Sequence, residues 1–342
     1  MPISEQVTPG HPDKIADQIS DAILDATLTE NPEAHIAIET LVTGKTIILA
    51  GETNHPIKNP ANLAKTVINR AGYTERWWTG IENLQVINLI HQQSENLAQN
   101  IQDGAGDQGI MFGYACREKN YLPTEYYAAT KAAQALNQLH IERPHEFGPD
   151  GKTTAITNNR GKIVAITAAI LHSLPLTQAR QEAETYLRTI LDIDCPIKIN
   201  TSGEFTIGGP AADTGLTGRK IIADTYGGRG RHGGGAFSGK DASKVDRTGA
   251  YYARHLAIKA LQDNPSAYEA EIQLGYSIGD LNPRHIKLTL DGNTDSIYTP
   301  GELLTPRQAA KHFDLLSPTH SESTCFGHFT RESKPWNRDC NE

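Results

Sequence analysis

Cysteine is scarce in this chain. The 342 residues hold four, Cys116, Cys195, Cys325 and Cys340, widely spaced and without a C-x-x-C pair. That spacing signals neither a disulfide framework nor a zinc site, and it fits a reducing compartment. Long apolar runs are missing too, and stretches such as Ile163 to Leu171 are too short to span a bilayer. The first residues, Met1-Pro2-Ile3-Ser4-Glu5, lack the basic and apolar regions of a secretory leader, so the expected location is cytoplasmic. Positive charge is in deficit: 32 Lys and Arg face 40 Asp and Glu, a formal net charge of −8. This balance argues against nucleic acid or an anionic membrane as the principal partner and points to a small molecule. No low-complexity tract and no fixed-period repeat interrupts the chain, whose length suggests two or three domains.

Against that acidic background stands one basic, glycine-rich stretch, Gly227 to Arg247. From Arg219 to Arg247 the chain places Arg219, Lys220, Arg229, Arg231, Lys240, Lys244 and Arg247 against only Asp224, Asp241 and Asp246. Glycines such as Gly233, Gly234 and Gly235 let peptide N–H groups come close to an anion, and Lys240 and Lys244 add point charges on flexible stems. The segment suits a polyphosphate. A flexible linker is the plainer reading, but linkers usually carry Ser or Pro and fewer Arg and aromatic residues.

Periodicity gives alternating helical and strand patterns, an α/β or α+β chain. Ile15, Ile19, Ala22, Ile23 and Ala26 recur at helical spacing after His11-Pro12-Asp13, and the pattern stops at Asn31-Pro32. Ile36 to Val42 and Thr46 to Ala50 read as a hairpin about Thr43-Gly44. Asn59-Pro60 opens a helix that Gly72 closes in a left-handed conformation. Leu84 to Ile90 reads as a strand. Helices over Tyr126 to Leu139 and Thr177 to Leu191 flank a strand at Lys162 to Leu171. A helix over Thr248 to Leu261 precedes strands at Glu271 to Ile278 and His285 to Leu290, and Thr305-Pro306 caps a last short helix.

Taken singly, the chemical candidates carry two readings each. His11-Pro12-Asp13-Lys14 sets an imidazole, a carboxylate and an ammonium at a helix start, where backbone donors favour an anion, yet Asp13 alone reads as a helix-start carboxylate. Gly104-Ala105-Gly106-Asp107-Gln108-Gly109 suits gripping a cation or amine, and equally a tight turn. Glu39 and Glu52 lie in strand patterns, either solvated or, if buried, paired or metal-bound. Thr43-Gly44-Lys45-Thr46 has the tail of a phosphate loop but lacks its upstream glycine and runs into a strand, so it is not one.

Together the segments resemble the methionine adenosyltransferase (S-adenosylmethionine synthetase) family. The resemblance rests on Glu5 through Ala22, on Gly104 through Ala115, on Ile207-Gly208-Gly209-Pro210, on Leu216 through Ile222 and on Gly233 through Arg247, in order over nearly the whole chain. It implies three similar α/β domains in a pseudo-threefold arrangement, cut at 1–95, 104–206 and 207–338 with chain crossings between them. It further implies a homodimer with shared active sites, often doubled to a tetramer, two Mg²⁺ per site and one K⁺ per subunit. The implied reaction joins ATP and L-methionine: the thioether sulfur attacks C5′ of ATP and expels tripolyphosphate, which is then cleaved to diphosphate and phosphate.

Matched to the family's motifs, His11, Lys152, Arg219, Lys220 and Lys240 would hold the phosphates and carry catalysis. Asp150, Phe205, Asp213 and Ala236 would complete the ATP site, with Phe205 stacked on adenine. Glu52, Gln93, Asp107, Asp213 and Lys244 would line the methionine side, Asp13 and Asp246 would bind Mg²⁺, and Glu39 would bind K⁺. Three departures stand out: Glu204 precedes Phe205 where the family commonly has Arg, Glu95 replaces a Pro within a shortened segment from Gln93 to Gly104, and the last domain is trimmed. The stretch from Gln93 to Asp103 is expected to be mobile without ligand. Two other outcomes stay open on the sequence, a nucleotide-binding regulatory homologue and a tripolyphosphatase without a methionine pocket.

Overall fold

A computed structural model describes residues 1–93, 103–295 and 303–337. The expected mobile segment lies almost wholly outside them. The strands are β1 (Ile3–Val7), β2 (Ile36–Thr43), β3 (Thr46–Thr53), β4 (Gln85–Gln92), β5 (Gly109–Cys116), β6 (Phe147–Thr157), β7 (Ile163–His172), β8 (Ile197–Ile199), β9 (Gly215–Leu216), β10 (Glu269–Tyr276), β11 (His285–Leu290) and β12 (Asn293–Asp295). The helices are α1 (Pro12–Glu30), α2 (Pro60–Arg70), α3 (Thr124–Glu142), α4 (Leu176–Leu191), α5 (Ile221–Asp224), α6 (Val245–Asp263) and α7 (Pro306–His312).

Three four-stranded sheets form, in the orders β4-β3-β2-β9, β1-β6-β7-β8 and β12-β11-β10-β5. Each has its own apolar cluster beneath helices: α1 and α2 on the first, α3 and α4 on the second, α6 and α7 on the third. The alternation read in β2 holds, since Ile36, Ile38, Thr40 and Val42 are buried while the residues between them are not. β2 and β3 are the expected antiparallel hairpin, and Gly44 turns it at φ +53°. Thr305 and Gln308 form a reciprocal capping box at the start of α7.

The sheets exchange strands in a ring. β1, from the segment 1–95, pairs with β6 of the segment 102–205; β5, from the segment 102–205, pairs with β10 of the segment 207–338; β9, from the segment 207–338, pairs with β2 of the segment 1–95. The sequence reading missed β1, β5, β6, β8, β9 and β12. Most of these carry glycine or polar residues or are very short, so a period-2 pattern has little to act on.

α1 lies where the three units meet, and its polar residues are buried with its apolar ones. Lys14 bonds Asp224 and sits 2.9 Å from Asp17. Asp21 takes Arg247 at 2.8 and 3.1 Å, the Gly239 N–H at 2.9 Å and the Thr324 hydroxyl at 2.6 Å. Asp25 accepts the N–H groups of His320 and Ser321 at 2.8 and 2.9 Å. Removing one partner from such a buried pair costs about 3–5 kcal/mol, so α1 acts as the shared axle of the fold.

Candidate active site

The exchanged β9 builds the first cluster. It carries Leu216 to the start of α1, with the Gly215 backbone packed so closely on Pro12 that an added Cβ would lie 2.0 Å from the Pro12 carbonyl oxygen. Arg219 and Lys220 follow it. The Asp13 carboxylate, fully buried, accepts the Leu216 N–H at 3.0 Å, lies 3.1 Å from Arg219 Nε and bonds the Lys220 ammonium. Asp13 is thus the helix-start carboxylate read from the sequence, in the first turn of α1, with partners supplied by the exchanged segment. His11 is the cap, its Nδ1 accepting the Asp13 N–H at 3.2 Å.

The His11 ring is held down to about 4 by burial first and then by the Lys220 charge, so it is neutral at pH 7. With Nδ1 accepting, the neutral ring carries its proton on Nε2. The exchanged β1 adds the next member: Val7 lies opposite Lys152 in β6, and the Lys152 ammonium is 2.5 Å from Glu5. Asp150 on the same strand is buried and accepts the Gly209 N–H at 2.7 Å. Burial pushes its carboxyl up to about 7, against the opposing pull of that N–H. Asp213 is exposed, caps its own turn through the Thr214 N–H at 2.8 Å, and acts on both His11 and Asp150 electrostatically. Phe205 packs on the first apolar cluster and over Gly208, where a Cβ would lie 2.8 Å from its ring.

The glycine-rich stretch builds a second cluster, and it is packed rather than a linker: Phe237, Ser238 and Gly239 are buried. It crosses β2, where the Ile38 N–H donates to the Gly239 carbonyl at 3.0 Å, with Gly239 at φ +81°. Lys240 bonds Asp246, and the Gly235 backbone approaches so near that an added Cβ would sit 2.3 Å from the Asp246 carboxyl carbon. Ala236 packs against Gly218, just before Arg219. Lys244 pairs with buried Asp241 at 2.7 Å. Burial opposes the Asp241 charge, yet Lys244, the Ser243 side chain and the Ile36 N–H hold this carboxyl below the ordinary range.

The exchanged β5 brings in the Gly104–Gly109 loop, whose Gly106 N–H donates to the Ser243 carbonyl at 3.2 Å. Asp107 there is exposed and accepts the Gln108 N–H at 2.7 Å. At the end of β3, Glu52 accepts the Gln93 amide at 3.1 Å, so these two candidates are joined. Glu39 is exposed on β2. Among the described residues no hydrogen bond or ion pair joins the His11–Asp13–Lys220 cluster to Lys240, Asp246, Lys244, Asp107, Glu52 or Gln93. Nor does any group of three or more His, Cys, Asp or Glu there have a metal-holding arrangement.

Sequence reasoning passed over Glu5, which partners Lys152, and Asp21 and Arg247, which brace the glycine-rich loop. Arg247 donates to the carbonyls of Phe237 and Lys240 at 3.2 and 3.3 Å. Glu5 and Asp21 carry no local signal because their partners are remote in sequence, and Arg247, visible only as one charge of the basic stretch, has its carboxylate partner at the far end of the chain.

The arrangement gathers cations and a neutral imidazole where strands exchanged between the three sheets meet, in an α/β chain. Sequence profiles of the S-adenosylmethionine synthetase N-terminal, central and C-terminal domains match residues 1–95, 102–205 and 207–338. The S-adenosylmethionine synthase of Salinibacter ruber is 40% identical, over 97% of this chain and 94% of its own length. Those of Mycoplasmopsis synoviae and Borreliella afzelii are 39% and 38% identical, over 96% and 98% of this chain and 92% and 94% of their own lengths. The chain belongs to the S-adenosylmethionine synthetase family. The Salinibacter alignment runs to 365 positions against 342 residues here, so that relative carries residues with no counterpart in this chain. Among the described residues no helix is long and apolar enough to cross a membrane.

Proposed function

We infer that the chain is a methionine adenosyltransferase, forming S-adenosylmethionine from ATP and L-methionine. The methionine sulfur donates its lone pair to C5′; the C5′–O bond breaks with its electrons passing to tripolyphosphate; water then cleaves tripolyphosphate to diphosphate and phosphate. The observation that carries the reading is the Asp13 clamp, one buried carboxylate holding Arg219 and Lys220 beside the neutral His11.

A neutral sulfur becomes a sulfonium while a polyanion leaves, so the protein's task is positioning and charge stabilisation. His11 offers Nε2–H to the leaving oxygen. Lys152, Arg219, Lys220 and Lys240 hold the phosphates; Asp150, Phe205, Asp213 and Ala236 hold the nucleoside; Glu52, Gln93, Asp107 and Lys244, with Asp213, hold methionine.

The family is generally Mg²⁺- and K⁺-dependent. The donor set fits Mg²⁺: Asp13 and Asp246 are single carboxylates, each already bonded by a lysine, and Mg²⁺ favours one or two carboxylates completed by water and phosphate oxygens over an all-protein cage. Bound there, Mg²⁺ would neutralise charge on the polyphosphate, while Lys220 and Lys240 turn to its oxygens. Glu39 would hold K⁺.

The lack of any bond between the two clusters supports a site completed by a second copy of the chain, with the His11 cluster of one subunit facing the Lys240 cluster of the other. A tetramer would pair two such dimers, in the cytoplasm. Mass-spectrometric detection of S-adenosylmethionine from ATP, L-methionine, Mg²⁺ and K⁺, with phosphate release in parallel, tests the function. Methionine-dependent sulfonium formation is expected. Nucleotide binding alone would indicate a regulatory homologue, and methionine-independent phosphate release a tripolyphosphatase.

A further inference from the structure

The motif at the start of α1 contains an ammonium that the chemistry above leaves out. In sequence Lys14 reads as one more cation beside an anion site. Its side chain is only 1% exposed, however, with Nζ 2.9 Å from Asp17 and bonded to Asp224. It is closed off from any ligand, and the two carboxylates keep the buried charge paired. They lead to the two ends of one short segment. Asp17 accepts the Gly218 N–H at 2.8 Å, just before Arg219. Gly218 stands at φ +78°, and an added Cβ there would lie 2.4 Å from the Ala236 Cβ, so the turn has no room to shift. Asp224 ends α5, and its N–H donates to the Lys220 carbonyl at 2.8 Å. Lys14 therefore ties down both flanks of Arg219-Lys220, while Asp13, its neighbour on α1, holds the side chains of the same two cations.

We propose that Lys14 is a positioning residue for the transfer reaction, fixing from beneath the backbone that presents Arg219 and Lys220 to the polyphosphate. The proposal rests on the reading of those two residues as phosphate ligands. Charges stabilise a leaving polyanion best when they are in place before the C5′–O bond breaks, because moving them during the reaction costs free energy. A misplacement of about 1 Å is enough to lower a rate about a hundredfold. Lys14 touches no reacting atom and acts only through the segment from Gly218 to Asp224. Among the described residues no hydrogen bond or ion pair joins Lys14, Asp17 or Asp224 to Glu52, Gln93, Asp107 or Lys244, so the methionine side lies outside its control.

Four variants separate positioning from general loosening. Asp224→Ala frees one flank and leaves Lys14 and Asp17 as a balanced pair, whereas Asp224→Asn keeps an oxygen that accepts from Lys14. Lys14→Met frees both flanks. Asp25→Ala, on the same helix but tied to His320 and Ser321, disturbs the fold without touching the segment. For each chain the unfolding midpoint is measured together with the Kd for Mg²⁺-tripolyphosphate, by calorimetry without nucleotide or methionine, and with kcat and both KM values from mass spectrometry of the sulfonium product. Asp224→Ala should weaken tripolyphosphate binding about tenfold and lower kcat at least about tenfold, with KM for methionine within about twofold of the unsubstituted value. Asp224→Asn should restore both to within about threefold. Lys14→Met should exceed Asp224→Ala in both respects; if it does not fold, the two Asp224 variants decide. Asp25→Ala should lower the midpoint and leave Kd and kcat within about twofold. The proposal is overturned if Asp224→Ala binds tripolyphosphate normally, if Asp224→Asn loses as much as Asp224→Ala, or if Asp25→Ala loses as much affinity and kcat as either. Failure of the unsubstituted chain to form S-adenosylmethionine would count against the function, while the tripolyphosphate Kd still decides the role of Lys14.

Discussion

The two clusters hold their carboxylates in opposite ways. Asp13 is fully buried and held by Leu216, Arg219 and Lys220, some two hundred residues away. Asp246, in the first turn of α6, is 26% exposed and its ammonium partner, Lys240, is six residues back in the loop that leads into the helix. The first pairing exists only after β9 has crossed into the first sheet. The second is local, and its support from Asp21 and Arg247 lies behind the loop rather than in the pair. The first cluster should therefore couple activity to folding, whereas the second should allow the two to be separated.

Asp13→Ala is expected to have the largest effect. It strands two cations and one N–H, so kcat/KM should fall by more than about a thousandfold and stability by about 3 kcal/mol, read by steady-state kinetics and denaturant unfolding. Asp246→Asn should cost about a hundredfold or more in kcat while the unfolding midpoint barely moves. Equal stability losses in the two variants would erase the contrast. His11→Ala, which removes a neutral donor without stranding a charge, should lower kcat about a hundredfold, and near-normal turnover would remove His11 from the reaction.

Acid should weaken the bracing behind the loop. Burial holds His320 down to about 3 and His255 to about 4, and it keeps His328, 2.7 Å from the Tyr251 hydroxyl, well below the ordinary value. Their folded affinities for protons lie below the unfolded ones, so the unfolded chain takes up more protons below about pH 6.5. The stability tied to their neutral forms is complete above that pH and is lost progressively as pH falls from about 6.5 toward 4. Asp150 and Asp224, both raised to about 7 by burial, run the other way and favour the folded state as pH falls from about 7 to 4, which offsets part of the histidines' loss, while His11, held to about 4, adds to that loss. The urea midpoint should thus be lower at pH 5 than at pH 7.5. The smallest effect belongs to Glu5→Gln: the pair with Lys152 is 36% and 45% exposed, so stability should change by less than about 1 kcal/mol.

The same contrast explains what could be read from sequence. The glycine-rich loop is a local composition signal, visible before any comparison. β2, α6 and the capping box of α7 were likewise legible, because each is specified by its own few residues. β9 is two residues long and β1 is largely polar, yet these strands bring Arg219, Lys220 and Lys152 to His11. Their assembly depends on pairing across the chain, which periodicity does not encode. Asp13 reads as a helix-start carboxylate and is one, but its partners lie beyond the reach of a local pattern.

The central claim, that the His11 cluster of one subunit works with the Lys240 cluster of another, is tested by complementation. His11→Ala and Lys240→Ala chains, each inactive alone, are co-expressed with different tags, and the doubly tagged assembly is isolated and assayed for S-adenosylmethionine. A shared site leaves one of the two sites in each mixed dimer with both clusters intact, so about half the unsubstituted activity should return. If each chain houses its own complete site, every site in the mixed dimer carries a lesion, and an inactive mixed dimer would contradict the account.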